Sequence, residues 1–344
     1  MKIGLVGYKG AGKSALFEWL TGVKADPALA HSSQSAMMTV PEPRIEALCE
    51  IYKPKKVTYA SIEIVDTQGL ARDQEGNPAR LAQLREVHCL LCVVPVFEGS
   101  DLKKEMAAFQ EDLILADLEL VMNRIDRVKG PQKRTLSKAD NDKLAFELET
   151  LEMVQAALES GKPLREDELS EEQQKVTRAF RLLSEKPRMA IINTADDATD
   201  LGSYQTLSTE KCPIVAVSAR LENDMAEMSP EDRAAFLEEM GLAVSDRDHT
   251  IRTILDASEQ MLFLTAGDKE VRTWLVRKNA SAVEAAAEIH TDIAKGFIRA
   301  EIMKCDDLIR LGSERAVKAE NLNRREPKDY VIQDGDVVLF HFSN

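Results

Sequence analysis

No stretch of this 344-residue chain approaches the roughly 20 consecutive apolar residues that a membrane helix needs, so no spanning helix and no membrane partner are expected. The chain opens on a strand-like run, not on the basic and apolar regions of a signal peptide. Cysteine is sparse. Five residues, an odd number, do not suggest a disulfide framework, and a reducing, cytoplasmic setting is expected. Positive charge is in deficit as well: 45 Lys and Arg stand against 59 Asp and Glu, a net charge of −14. So acidic a surface argues against non-specific nucleic-acid binding by the molecule as a whole. The deficit is uneven. From Phe263 to the end, 13 Lys/Arg face 14 Asp/Glu, so a local patch there could touch RNA where the rest could not. With 44% hydrophobic and 30% charged residues, the composition is that of a soluble globular protein of one large or two to three ordinary domains.

The densest information lies in residues 3–14. Ile3 to Val6 is a short apolar run with the character of a buried strand. It leads into Gly7-x-x-x-x-Gly12-Lys13-Ser14, the spacing of a phosphate-binding P-loop. A helical run from Ala15 to Leu20 follows and ends at Gly22. This order lets the amides of Gly7, Tyr8, Lys9, Gly10, Ala11 and Gly12 curl round a phosphate, with a helix N-terminus aimed at the same anion. Lys13 then supplies charge to the β- and γ-phosphates, and Ser14, followed by Ala15, offers a hydroxyl to Mg²⁺.

Lys24 to Ala36 is polar and poorly patterned and reads as a loop, in the position of switch I of a nucleotide switch. Such a loop normally offers a Thr hydroxyl to the metal. Here only Ser32, Ser33, Ser35 and Thr39 are at hand. Thr58 to Val65 reads as a β-branched strand ending in Asp66-Thr67-Gln68-Gly69. A D-x-x-G at a strand end, about 50 residues after a P-loop, lets Asp66 support Mg²⁺ and lets the Gly69 N–H sense the γ-phosphate. Leu70 follows, where Ras-like proteins carry a water-orienting Gln, so hydrolysis needs another device. In the next strand, Val87 to Phe97, Cys89 and Cys92 point to opposite faces and read as buried structural cysteines.

From about Leu102 to Lys186 apolar residues recur at helical spacing. Gly130-Pro131 must break the run, which predicts two long antiparallel helices with a turn near Gly130. The turn region, Arg127 to Lys138, carries five Lys/Arg and no acid. It is a solvated loop or a contact for an acidic partner such as RNA. Asn123-Arg124-Ile125-Asp126 loosely fits the N-K-x-D base-reading motif but sits in mid-helix. Asn193-Thr194-Ala195-Asp196, at the end of the short strand Arg188 to Ile192, is the better candidate. Asn193 can tie the loop to the P-loop. The Asp196 carboxylate can accept two hydrogens from guanine, a donor pair adenine lacks. A further strand, Val215 to Arg220, ends in Ser218-Ala219, like the S-A-K loop that reads a purine carbonyl. The last 80 or so residues read as a compact unit with strands at Lys269 to Val276 and Tyr330 to His341, a helix at Ser281 to Ile289, and a turn at Asp334-Gly335-Asp336. His290 has no evident partner and reads as structural.

Together these motifs resemble the Obg-related GTPase superfamily, and within it the YchF or Obg-like ATPase branch, over nearly the whole chain. The resemblance is carried by Gly7 to Ser14, Val40-Pro41-Glu42-Pro43-Arg44, Tyr52-Lys53-Pro54, Asp66 to Gly69 and Leu115-Ala116-Asp117-Leu118. The most specific stretches are Ala266-Gly267, Glu270 to Arg272, Ile289 to Asp292, Lys295 to Ala300, Lys328 to Val331 and Asp334 to Val337. The resemblance implies an α/β fold: a P-loop G domain with a mostly parallel sheet (residues 1–102 and 187–262), an inserted antiparallel helical coiled-coil arm (103–186) and a C-terminal α+β, ubiquitin-like TGS domain (263–344). It also implies a ribosome or RNA-containing partner met by the arm and the TGS domain. Hydrolysis is implied with a hydrophobic residue in place of the catalytic Gln, which matches Leu70 and leaves the catalytic positions as Lys13, Gly69 and Leu70.

Four departures stand out. The base motif ends in Asp196, where the family has Glu and binds ATP. Switch I has Ala30 near an expected Thr. Switch II is shortened to Ala71–Ala79. Ala15 replaces a Thr. The expected function is a Mg²⁺-dependent P-loop triphosphatase acting as a molecular switch on GTP or ATP. The alternative is a nucleotide-binding interaction protein with little hydrolysis.

Overall fold

The structure, a computed structural model, describes residues 1–29, 32–73, 76–96, 101–130, 137–161, 169–198, 200–241 and 245–343. Ala30 and most of the basic stretch between Arg127 and Lys138 lie outside the described residues. The chain forms two compact units, Met1–Ala36 with Ile64–Ser245, and Met37–Glu63 with Asp246–Asn344.

The elements up to Glu159 are β1 (Lys2–Val6), α1 (Lys13–Thr21), β2 (Gln34–Thr39), α2 (Arg44–Tyr52), β3 (Lys56–Thr58), β4 (Ser61–Asp66), α3 (Asn77–Leu84), β5 (Cys89–Pro95), α4 (Leu102–Lys129) and α5 (Lys138–Glu159). Then come α6 (Glu171–Arg178), β6 (Arg188–Asn193), β7 (Ile214–Val217), α7 (Ala219–Met225), α8 (Pro230–Met240) and α9 (Arg247–Ala257). The last stretch holds β8 (Gln260–Ala266), β9 (Glu270–Arg277), α10 (Ala282–Ile289), α11 (Thr291–Lys295), β10 (Phe297–Lys304), α12 (Cys305–Leu311), α13 (Glu314–Ala319), β11 (Arg324–Glu326) and β12 (Asp336–Phe342).

In the first unit, the unbroken apolar runs of β1, β5, β6 and β7 become parallel strands buried on both faces, as expected when helices cover each side. The order is β2-β4-β1-β5-β6-β7. The strands β1, β5, β6 and β7 run parallel, with Val6 opposite Cys92 and Ile192 opposite Ala216. Cys89 and Cys92 are buried thiols in the central strand, and burial pushes the Cys92 thiol well above its ordinary value. Between β5 and β6 the chain inserts α4, α5 and α6. Asp101 caps α4 and Ser137 caps α5. The two long helices pack through Ile114, Val121 and Ile125 against Leu151, Val154 and Leu158. The stretch around Asp117 has a clear physical role. Its fully buried carboxylate accepts from the amides of Leu183 and Ser184 and pairs with Arg85 at 2.6 Å, so the middle of α4 is pinned to the chain that returns to the sheet.

The second unit has a mixed sheet, β11-β10-β12-β8-β9-β3. A β8–β9 hairpin, antiparallel β10–β12 pairing and a parallel β12–β8 pair enclose a core of Phe263, Ile302 and Phe340 under α10. Glu42, its carboxylate fully buried, accepts from both Nε and Nη2 of Arg44 at 2.7 Å and from Arg252 at 3.1 Å, while Arg44 also reaches Asp334 at 2.9 Å. That network accounts for the Glu-Pro-Arg run.

Several sequence expectations need correction. Thr58–Val65 is not one strand. The chain breaks at Tyr59-Ala60, where the Ala60 amide donates to Thr273 Oγ1 at 2.6 Å, and β3 joins the second sheet beside β9. Lys24–Ala36 is not all loop, because β2 already begins at Gln34. Tyr330–His341 is strand only from Asp336, since Gly335 turns the chain at φ +76° before it. The strand expected to reach Arg220 ends at Val217, and Ala219 starts α7. The boundary expected at Phe263 falls inside β8, and residues 37–63 pack with the C-terminal unit.

Candidate nucleotide-binding site

The expected site residues come together at the carboxyl ends of β1, β4, β6 and β7, the edge where parallel α/β sheets offer their ligand crevice. Gly7 to Gly12 form the loop between β1 and α1, and Lys13, Ser14 and Ala15 are the first turn of the helix. Gly12 is left-handed at φ +89°, and a Cβ on it would overlap the side-chain nitrogen of Asn193. Only glycine meets both demands.

Lys13 is 7% exposed, and its Nζ donates to the Tyr8 carbonyl at 3.1 Å. Burial pulls its pKa down to about 8, against an upward pull from Asp66. The charge is therefore stored next to the loop at a desolvation cost that a phosphate would repay. Beside it, the Ser14 hydroxyl donates to Asp66 Oδ2 at 2.8 Å. A hydroxyl and a carboxylate at one point are hard oxygen donors of the kind Mg²⁺ takes when phosphates and water complete its shell, so these two residues fit the ion.

The loop after β4 is tied to the P-loop. Thr67 donates to the Leu5 carbonyl at 2.6 Å, the Leu70 amide to the Gly7 carbonyl at 3.0 Å, and the Lys9 amide to the Leu70 carbonyl at 3.0 Å. Gly69 admits no side chain, because a Cβ there would lie 2.8 Å from the Lys9 nitrogen and 2.9 Å from both Lys9 Cα and Lys13 Nζ. Leu70 is 1% exposed and sits in an apolar cluster with Tyr8, Leu81 and Phe109, so its side chain is buried in the core.

At the other end, Asn193 is 7% exposed and bridges two loops. Its Nδ2 donates to the Ala11 carbonyl at 3.1 Å, and its Oδ1 accepts from the Ala219 amide at 3.2 Å. Asp196 accepts from the Ser218 hydroxyl at 2.9 Å and lies 3.7 Å from Arg220. Thr194 occupies the position of the usual Lys. Its hydroxyl oxygen is buried with no hydrogen-bond partner among the described residues, the kind of orphaned group that a ligand satisfies. The decoy Asn123–Asp126 lies inside α4.

Three contributors, Gln34, Asn77 and Asn223, were missed from sequence, as was the side-chain contact of Tyr8, itself an expected residue of the loop. Gln34 Nε2 donates to Asp66 Oδ2 at 3.2 Å, while its Oε1 takes the Asp26 amide at 2.9 Å. Asn77 holds both the amide and the carbonyl of Ala71 at 2.8 Å. Asn223 donates to the Ala15 carbonyl at 2.8 Å. The Tyr8 hydroxyl donates to Asp112 on α4 at 2.8 Å, and Arg72 stacks 4.5 Å over the Tyr8 ring while pairing with Glu105 at 2.7 Å. These contacts span tens to hundreds of residues or fall outside any motif, so spacing alone carries no signal for them.

Comparison with known proteins matches this geometry to a family. A family model described as "50S ribosome-binding GTPase" matches residues 2–124. The C-terminal model of YchF GTPases, described as "Protein of unknown function (DUF933)", matches residues 261–343. The chain is 34% identical over 364 residues to the ribosome-binding ATPase YchF of Haemophilus influenzae, covering 99% of each chain. It is 34% identical over 375 residues to Obg-like ATPase 1 of Oryza sativa subsp. japonica, covering 100% of this chain and 92% of the other. Its fold is similar to that of the Schizosaccharomyces pombe YchF GTPase, with a TM-score of 0.80 and 24% identity over 99% of this chain and 97% of that one.

Proposed function

The chain belongs to the YchF / Obg-like ATPase family, and from that premise we propose that it is a Mg²⁺-dependent P-loop nucleoside triphosphatase that serves a ribosome or another RNA-containing partner as a molecular switch. The observation that carries the reading is the Ser14–Asp66 contact of 2.8 Å beside the buried ammonium of Lys13. It supports Ser14 and Asp66 as the Mg²⁺ residues, Lys13 and the amides of Gly7 to Ser14 as the phosphate cradle, and Gly69 as the γ-phosphate sensor. Calorimetric titration with GTP or ATP, with and without Mg²⁺, tests it. Asp66→Asn is expected to weaken Mg²⁺-dependent binding at least tenfold, about 1.4 kcal/mol, and to change Mg²⁺-free binding little. Equal binding by wild type and variant with Mg²⁺ present would overturn the assignment.

Asp196 supports guanine over adenine, because its two oxygens can accept the paired hydrogens that guanine alone presents. Two of the relatives named above are called ATPases and the third a GTPase, so a direct competition decides between the two nucleotides. GTP is expected to bind at least tenfold tighter than ATP, and Asp196→Ala is expected to erase the margin. A tie or an ATP preference in the wild type would leave recognition to Asn193 and backbone.

The helical insertion and the C-terminal unit, which we read as a TGS domain, are the surfaces for the partner, and the setting is cytoplasmic. Co-sedimentation with ribosomes, for the intact chain and for full-length variants that reverse exposed charges on the insertion (Lys138→Glu) and on the C-terminal unit (Arg299→Glu), tests the partner. A second reading, nucleotide binding with little hydrolysis, is favoured by Leu70, whose side chain is withdrawn into the core. Single-turnover assays at the background rate would select it.

A further inference from the structure

With the Leu70 side chain buried, position 70 offers nothing to a transferring phosphoryl group, yet phosphoryl transfer gains most from positive charge placed where the terminal phosphate reacts. The variable residues of the P-loop differ in what they present. Tyr8 turns inward and donates to Asp112, Gly10 has no side chain, and Ala11 is a fully buried methyl. Lys9 is exposed and is the one that aims a functional group outward.

Other cations around the site are committed to acids. Lys24 pairs with Glu227, Arg72 with Glu105, and Arg220 lies within 4 Å of Asp196 and Asp224. Lys9 has no ion pair or side-chain hydrogen bond among the described residues, in a chain whose net charge is −14. Its position is defined by Gly69. The point where a Gly69 Cβ would sit is 2.9 Å from Lys9 Cα and 2.9 Å from Lys13 Nζ. Lys9 therefore springs from the backbone that flanks both the phosphate-binding ammonium and the γ-phosphate sensor. Its flexible four-carbon stem can swing over the outer side of the terminal phosphate.

We propose that Lys9 is a catalytic residue whose ammonium contacts the γ-phosphate in the transition state and supplies in cis a positive charge to the transferring phosphoryl group; this rests on the reading of the chain as a hydrolase. A water oxygen bonds to the γ-phosphorus as the bond to the β–γ bridging oxygen breaks. That oxygen keeps the electron pair and leaves with the nucleoside diphosphate, and the surplus proton of the water passes through the phosphate product to solvent. Lys9 neither gains nor loses a proton.

Lys9→Met removes the charge at nearly constant length, and Lys9→Arg keeps it. Single-turnover hydrolysis is measured beside the affinities for nucleoside diphosphate alone and for the diphosphate with aluminium fluoride, which mimics the transferring phosphoryl group. Lys9→Met is expected to slow turnover about 100-fold, the loss typical of one transition-state donor. It is also expected to abolish the tightening by aluminium fluoride and to leave diphosphate affinity within about threefold, while Lys9→Arg retains most of the rate. Turnover of Lys9→Met within threefold of a turning-over wild type overturns this proposal alone, as does a rate loss matched by an equal loss of diphosphate affinity. A wild type that binds nucleotide and never turns over overturns the hydrolase reading together with it.

Discussion

The phosphate end and the base end of the site are built to different standards of rigidity. Lys13, Asp66 and Leu70 are buried, and main-chain bonds from Gly7 and Lys9 to Leu70 stitch the two phosphate-facing loops together. Asp196 keeps 46% of its side chain exposed, and its partner Arg220 keeps 80%. The triphosphate is common to ATP and GTP, so a preformed, desolvated cradle would serve both and strengthen each charge contact. The base is what distinguishes one nucleotide from another. On the proposal above it is met by side chains on two loops, where one exchanged carboxylate would change the choice. Asn193 joins the two ends, since one amide holds Ala11 in the P-loop and the other end of the same side chain holds Ala219.

The largest test of that contrast is Lys13→Met. Nucleotide affinity is expected to fall at least 100-fold by calorimetry, in line with the loss of charge-assisted bonds worth about 1.5–3 kcal/mol each. The apo protein is expected to melt no lower than wild type, because the variant no longer holds a buried ammonium. The same logic fixes the pH dependence. Only the protonated lysine attracts phosphate, and burial brings its pKa down to about 8. Affinity should therefore weaken as pH rises above 8, by up to about tenfold per unit, with no such slope in Lys13→Met. Stability should move the other way over that window. The folded pKa lies below the ordinary value of about 10.4, so the unfolded chain binds more protons there and apo stability rises with pH.

Asn193→Ala is expected to cost about 2 kcal/mol in denaturant unfolding, because a buried amide loses two partners and leaves them unpaired. It should weaken phosphate and base recognition together, where Asp196→Ala touches base choice alone. Tyr8→Phe should be the mildest change. Losing the bond to Asp112 should cost about 1 kcal/mol of stability and leave base preference untouched.

The phosphate end was the more legible in the sequence for the same reason that it is the more rigid. Gly7 to Ser14 form one contiguous run, and backbone geometry fixes what such a run can do. Asp66 and Gly69 were legible because a strand end placed them. Asn193 was found by its motif, but that Gly12 must lack a side chain to admit it emerges only from packing. Gln34 on Asp66, Asn223 on Ala15 and Asn77 on Ala71 escaped notice because amide side chains carry no periodic signature. The break between β3 and β4 was hidden because both halves have strand propensity. What divides them is that residues 37–63 pack with the C-terminal unit.

Local sterics and short-range pattern were enough to specify a strand, a glycine loop and a helix that cradle phosphate, a carboxylate at the next strand's end, and helices interrupting a parallel sheet. Packing across long separations decided the rest. It drew Leu70 and Tyr8 into one apolar cluster, set Ser14 against Asp66, and left Lys9 exposed and without an acidic partner among the described residues. Residues adjacent in the chain share a backbone whose torsions their own side chains restrict. Which of those side chains face the core depends on apolar surface supplied from elsewhere, and no local window contains it.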